Sequence, residues 1–174
     1  IPGWGGATLL PRLIGPERAL RVIVENPLKN NRLMDGPAAV EIGIGDVLVP
    51  SVTFLPSAVA WADGVITGTT KVVRKNEPGM LEKAAWGTVV KVARGQVASK
   101  IGTVPKSPFR ALDLVAAAKS GSLDERFADE DEALADLISG DQFAASMYAF
   151  DLVQKRAKKP VGAPEGIEAK KITK

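Results

Sequence analysis

Apolar residues recur at helical spacing along most of the chain, and glycine, proline and asparagine mark the breaks between segments. Such a stripe of apolar positions indicates helices that each bury one face. The polar and glycine-containing breaks indicate where the helices end. The pattern predicts helices over residues 8–14, 16–25, 35–43, 56–66, 78–98, 107–120, 122–139 and 142–158.

Two helix starts have strong local signals. Ser107-Pro108 predicts a serine N-cap with proline in the first turn, and Ser122-Leu123-Asp124-Glu125 has the capping-box pattern. One β-strand is predicted at 46–49, because Asp-Val-Leu-Val is β-branched and is followed by Pro50. This strand is expected to be the last of a sheet whose other strands precede this chain.

Composition predicts an ordinary globular protein. Of the 174 residues, 45% are hydrophobic and 25% are charged, with a net charge of +3. No uninterrupted apolar run is long enough to span a membrane and no cleavable leader is recognisable, so we expect a cytoplasmic protein. The chain has no cysteine and no histidine. Disulfides, cysteine nucleophiles, serine–histidine triads and histidine bases are therefore excluded, leaving carboxylates, lysines and backbone amides.

The first residues contain a glycine-rich turn, Gly3-Trp4-Gly5-Gly6, that runs into a helix. Glycines allow backbone amides to approach a ligand closely, and the helix N-terminus adds partial positive charge. The turn therefore suits a bound anion, carbonyl or water, the alternative being a tight loop that packs against a helix. In contrast, the acidic run 129–132 is expected to form a solvated helix face, and no metal site is predicted.

A resemblance to a known family extends over several segments. The pattern Pro-Gly-x-Gly-Gly-x-x-x-Leu-Pro-Arg-x-Ile-Gly at 2–15, followed by Glu17-Arg18-Ala19, resembles the segment just past the second catalytic loop of the enoyl-CoA hydratase/isomerase (crotonase) family. Residues 35–50 resemble that family's Ala-x-x-x-Gly-Leu-Val-Asp-x-Val-Val-Pro stretch. Residues 134–159 are similar, more loosely, to its C-terminal Ser-x-Asp, Ala-Phe and Glu-Lys-Arg-Lys pattern.

Two further segments resemble bacterial multifunctional fatty-acid oxidation α subunits, namely the region 68–106 and the tail 164–174. The resemblance implies an α/β crotonase (ClpP-like) spiral fold, of which this chain is mostly the α-helical C-terminal portion with one or two strands. Residues 1–50 would end the crotonase core, 51–159 would form a helical region with an insert, and 160–174 would be a linker toward a 3-hydroxyacyl-CoA dehydrogenase domain.

The implied activity is that of an enoyl-CoA hydratase of fatty-acid β-oxidation, which adds water to trans-2-enoyl-CoA. The catalytic glutamates would precede this chain, so the isolated chain is expected to be inactive. Because the strand at 46–49 would lack its neighbouring strands, the isolated chain is also expected to expose a large apolar patch. By resemblance, Gly3 would help to hold the catalytic water through its main-chain N–H, and Lys155 would bind the 3'-phosphate of CoA. The alternatives are a turn glycine with only a backbone-shape role and a solvated lysine that complements a helix dipole.

The resemblance implies no cofactor in this chain. The substrate would be a coenzyme A thioester, and NAD would belong to the downstream domain. Expected partners are the crotonase segment that precedes this chain, or a separate polypeptide carrying it, and an oligomer that includes a thiolase subunit. The alternative function is a non-catalytic helical capping or oligomerisation module. No nucleic acid is expected, because the lysine-rich tail lacks interleaved aromatic residues and follows an acidic helix.

Overall fold

The structure, a computed structural model, describes residues 2–74, 76–156 and Gly162, without the side chains of Lys155 and Arg156. The chain divides after Leu134 into two compact units. The helices are α1 (Gly6–Ile14), α2 (Pro16–Leu20), α3 (Gly36–Glu41), α4 (Phe54–Ile66), α5 (Met80–Ile101), α6 (Lys106–Ala117), α7 (Leu123–Ser139) and α8 (Asp141–Asp151). A 3-10 turn at Ser51–Thr53 precedes α4, and π-helical turns at Arg21–Glu25 and Leu152–Arg156 extend α2 and α8.

Local capping signals place several of these helices as predicted. The Asp35 side chain accepts a hydrogen bond from Ala38 N at 2.9 Å, which caps the start of α3. The capping box of α7 is complete, because Ser122 N donates to Glu125 Oε2 at 2.9 Å and Glu125 N donates to Ser122 Oγ at 3.2 Å. These three hydrogen bonds satisfy amides that have no partner within the helix.

Other boundaries differ from the prediction. Helix α4 begins two residues early, and α5 continues past Ala98 to Ile101. The predicted N-cap role of Ser107 is wrong, because α6 already begins at Lys106 and the extended Pro105 precedes it. Pro108 still lies in the first turn, where its missing N–H costs no intrahelical hydrogen bond.

The predicted strand at 46–49 is wrong, since the described ranges 2–74 and 76–156 contain no β-strand. Val47 to Pro50 have no regular secondary structure. A strand requires hydrogen bonds from a neighbouring strand, and β-branched composition cannot supply them. The structure is thus consistent with a helical portion of a protein, and the crotonase fold itself stays a prediction.

The core of the first unit lies between α2 with its π-helical turn, α5 and α6. Its buried members are Leu20, Val24, Trp86, Val90, Val97, Ala111, Leu112, Val115 and Ala118. The Trp86 side chain is 2% exposed, and its indole N–H donates to the Val115 carbonyl at 2.8 Å. This bond satisfies the polar atom of a large buried side chain.

Arg12 joins α1 to the end of α6. Its Nε donates to the Ala118 carbonyl at 2.8 Å, and its Nη2 donates to the carbonyls of Ser120 and Gly121 at 3.2 and 2.9 Å. The last carbonyls of a helix have no intrahelical partner and carry partial negative charge. The guanidinium therefore donates hydrogen bonds to these carbonyls, and its positive charge interacts favourably with the negative end of the α6 dipole.

Several large apolar side chains on α4 are exposed, including Phe54 at 60%, Leu55 at 70% and Ile66 at 84%. In the second unit, α8 likewise exposes Phe143, Met147, Tyr148 and Phe150. This agrees with the expected exposure of apolar surface. Among the helices described, none is long and apolar enough to cross a membrane.

The division after Leu134 describes compactness only, and the proposed domain boundaries at 50 and 159 stay predictions. The predicted linker, residues 160–174, lies outside the described residues except for Gly162.

We predict that Arg12→Ala lowers the free energy of unfolding by about 1–3 kcal/mol, because hydrogen bonds from a charged donor are lost at the end of α6. Arg12→Lys should lose less, since it keeps the charge but cannot reach three carbonyls at once. Chemical denaturation of both variants measures this. Arg21→Ala, at an exposed position, is the control, and equal stability of Arg12→Ala and Arg21→Ala would contradict the prediction.

Candidate functional site

The glycine turn leads directly into α1. Gly5 is the N-cap residue and has φ 82° and ψ 3°, a left-handed conformation that favours glycine. Its carbonyl accepts hydrogen bonds from Leu9 N at 2.7 Å and Thr8 N at 3.1 Å. The turn therefore presents the first amides of a nine-residue helix.

Helix α7 packs closely against this turn. A Cβ added at Gly3 would lie 2.7 Å from Cδ2 of Leu134, and one added at Gly5 would lie 2.7 Å from Cε1 of Phe127. Real Cβ atoms essentially never approach so closely. The turn is thus also a tight loop against a helix, as the alternative interpretation of the glycine motif predicts.

Glu130 projects from the same face of α7 toward the first amides of α1. Its side chain is 0% exposed, and Oε1 accepts a hydrogen bond from Ala7 N at 3.4 Å. The Gly5 and Gly6 amides and the Thr8 hydroxyl are near enough to favour the charged form of this carboxyl group. A carboxyl group of the chain itself thus occupies the place at which the sequence predicts an anion, carbonyl or water.

Burial and hydrogen bonding oppose each other at Glu130. Burial raises the pKa of its carboxyl group above the ordinary value, because the charged form loses hydration. The amides of Ala7, Gly5 and Gly6 and the Thr8 hydroxyl favour the charged form and partly offset this effect. The second carboxyl oxygen, Oε2, is buried and has no hydrogen-bond partner.

The sequence interpretation of the acidic run as a wholly solvated face is wrong at Glu130. Asp131 and Glu132 are exposed, but Glu130 lies three residues after Phe127 and four before Leu134. Residues at these intervals share one helix face. A carboxylate within an apolar stripe is the sequence signal that could have identified this position.

The two predicted site residues belong to different compact units, Gly3 to the first and Lys155 to the second. Gly3 is half-buried in the turn. Lys155 lies in the π-helical turn after α8, and its side chain is outside the described residues. The roles of both stay predictions. Trp4, beside Gly3, is 99% exposed, and the described residues contain no cluster of three or more possible metal ligands.

We predict that the free energy of unfolding depends less on pH in Glu130→Gln than in the wild type. Below about pH 4.5, the ordinary pKa of this group, the carboxyl is protonated in both the folded and the unfolded state. As the pH rises, the unfolded state releases the proton first, because burial raises the folded-state pKa. The wild type should therefore lose stability relative to Glu130→Gln until the pH exceeds the folded-state pKa.

Urea denaturation of both proteins between about pH 4 and 8 measures this difference. Glu132→Gln, on the same helix at an exposed position, is the matched control and should follow the wild type. A constant difference between Glu130→Gln and the wild type across this range would contradict the assignment.

Comparisons with known proteins identify relatives of this chain. The chain is 31% identical over 119 residues to the protein named fatty acid oxidation complex subunit alpha from Idiomarina loihiensis. The matched segment covers 66% of this chain and 16% of that subunit. No family model matches the chain, and no solved structure matches it. The chain is thus related to a fatty acid oxidation complex alpha subunit and spans only a small part of that protein's length.

Proposed function

We propose that this chain is part of an enoyl-CoA hydratase within a fatty acid oxidation complex alpha subunit. The observation that carries the proposal is the similarity to the Idiomarina loihiensis subunit. The glycine turn at the start of α1 supports it, since it matches the crotonase motif that precedes a helix. On this proposal a 3-hydroxyacyl-CoA dehydrogenase activity would require residues outside this chain.

The reaction adds water across the 2,3 double bond of a trans-2-enoyl-CoA thioester. It requires a carboxylate base that activates water, an acid that protonates the α-carbon and an oxyanion hole for the thioester enolate. Gly3 would contribute its main-chain N–H to the water. The two catalytic carboxylates would come from residues that precede this chain in the longer protein.

The burial of Glu130 supports the proposal that the catalytic carboxylates come from outside this chain. Glu130 is the carboxyl group beside the glycine turn. It is 0% exposed, and its Oε1 accepts a hydrogen bond from Ala7 N at the start of α1. A general base must come within hydrogen-bond distance of the water it activates. Glu130 is therefore a poor candidate for the base.

A non-catalytic capping or oligomerisation module is the second candidate, because α4 exposes large apolar side chains such as Phe54 and Leu55. The two functions differ in their response to substrate. The hydratase predicts that an acyl-CoA raises the melting temperature only when the preceding crotonase residues are present. The module predicts a stable helical chain that binds a protein partner and does not respond to CoA.

We predict that the longer protein hydrates crotonyl-CoA and that Gly3→Pro lowers kcat by about 10²-fold, because proline removes the N–H that would hold the water. Gly3→Ala is the matched control. It adds a Cβ that meets the flexible end of Leu134 but keeps the N–H, so its loss should be smaller.

Steady-state hydration kinetics of the three proteins measure these effects. The isolated 174 residues should be inactive in the same assay. Equal losses in Gly3→Pro and Gly3→Ala would count against the N–H, and an inactive longer protein would reject the hydratase.

We also predict that Lys155→Ala raises KM for crotonyl-CoA by about tenfold and leaves kcat near the wild-type value, since a phosphate contact remote from the reacting carbons is lost. The thioester of 3'-dephospho-CoA is the control substrate. Its KM should be the same for wild type and variant. Unchanged KM for crotonyl-CoA would favour the alternative of a solvated lysine.

A further inference from the structure

We infer that Glu130 is the positioning residue of the glycine turn, holding the backbone from which Gly3 would present its N–H to the catalytic water. This inference rests on the proposed hydratase function. It assigns a role to a residue of α7 that neither touches substrate nor supplies a proton.

The geometry shows how α7 holds the turn at two places. Ala7 N in the first turn of α1 donates a hydrogen bond to Glu130 Oε1 at 3.4 Å. The amides of Gly5, the N-cap residue, and of Gly6 favour the charged form of the same carboxyl group. Four residues later on the same helix face, Leu134 lies against Gly3. A single helix, α7, therefore contacts the glycine turn through one polar side chain, Glu130, and one apolar side chain, Leu134.

Glu130 also occupies the α1 N-terminus, where an external anion would otherwise be favoured. With those amides engaged, Gly3 lies before the residues that Glu130 contacts. The turn would thus orient the Gly3 N–H without using it in the contact with Glu130. Small displacements of such a donor reduce catalysis strongly, because the water must lie close to the reacting carbon.

The central variant is Glu130→Met, which keeps the length and apolar volume of the side chain but removes both acceptor oxygens. In the longer protein we expect kcat for crotonyl-CoA to fall by about tenfold or more, with KM changed by less than about threefold. Glu130→Gln keeps one acceptor oxygen and should restore kcat to within about threefold of wild type. Glu132→Met is the matched control at an exposed position, and its kcat should equal that of wild type.

A second variant covers the case in which Glu130→Met does not fold. Thr8→Val is nearly isosteric and removes the hydroxyl that favours the charged form of Glu130. It should lower kcat in the same direction, by about threefold, with KM unchanged. If a folded Glu130→Met retains wild-type kcat, the inference is overturned. If Glu130→Met does not fold, wild-type kcat in Thr8→Val overturns it.

Hydrogen exchange of the backbone amides at 5–7 tests the same inference without an activity measurement. Glu130→Met should exchange these amides about tenfold faster than wild type, whereas Glu130→Gln and Glu132→Met should not. If Glu130→Met does not fold, faster exchange in Thr8→Val is the expected result. Unchanged exchange in the folded variant overturns the inference. If the wild-type longer protein does not hydrate crotonyl-CoA, the proposed function fails and this exchange measurement alone decides whether Glu130 holds the turn.

Discussion

The contact between the buried Glu130 carboxyl and the start of α1 organises the part of the fold that contains the candidate site. Removing a carboxyl group from water is costly unless donors replace its hydration. The first amides of a helix are such donors, and they also need acceptors. The helix amides thus replace water around the carboxyl group, and the carboxyl group supplies an acceptor to the amides. Oε2 is left without a hydrogen-bond partner.

Helix α1 is held from two directions as a consequence. Glu130 on α7 accepts a hydrogen bond from the first turn of α1, and Arg12 of α1 donates to the carbonyl of Ala118 at the end of α6. The polar contacts lie at helix ends, where backbone groups lack intrahelical partners. The apolar core between α2, α5 and α6 supplies the buried area that stabilises the arrangement. Together these contacts place the glycine turn against α7, so that a Cβ at Gly3 or Gly5 would require the Leu134 or Phe127 side chain to shift.

The proposed function rests on the similarity to the alpha subunit, and the site shows which part of the chemistry this chain would supply. Without histidine, the acid–base side chains of this chain are mainly carboxylates and lysines, and the carboxyl beside the turn is committed to a structural contact. A hydratase built on this turn therefore needs carboxylates from elsewhere. The exposed apolar side chains of α4 and the short match to a much longer relative are consistent with a chain that functions as part of a larger protein.

Most helices and their breaks were predictable from the sequence, because their signals are local. The Ser122–Glu125 capping box, the Asp35 cap and the glycines act within a few residues of themselves. The predicted strand failed because its stability depends on hydrogen bonds from another strand, which no short sequence pattern reveals. Helix α6 begins at Lys106, after Pro105 in extended conformation, and Pro108 is its third residue, a position that needs no intrahelical N–H.

The glycine turn itself was evident from sequence, and so was its suitability for an anion or carbonyl. Which group fills it was decided only by tertiary structure, since Glu130 and Ala7 are 123 residues apart. The same packing buries Glu130 while its neighbours Asp131 and Glu132 stay exposed. Residue type and helical period determine which positions share a face, but burial depends on what packs against that face, and here it is a distant segment of the chain.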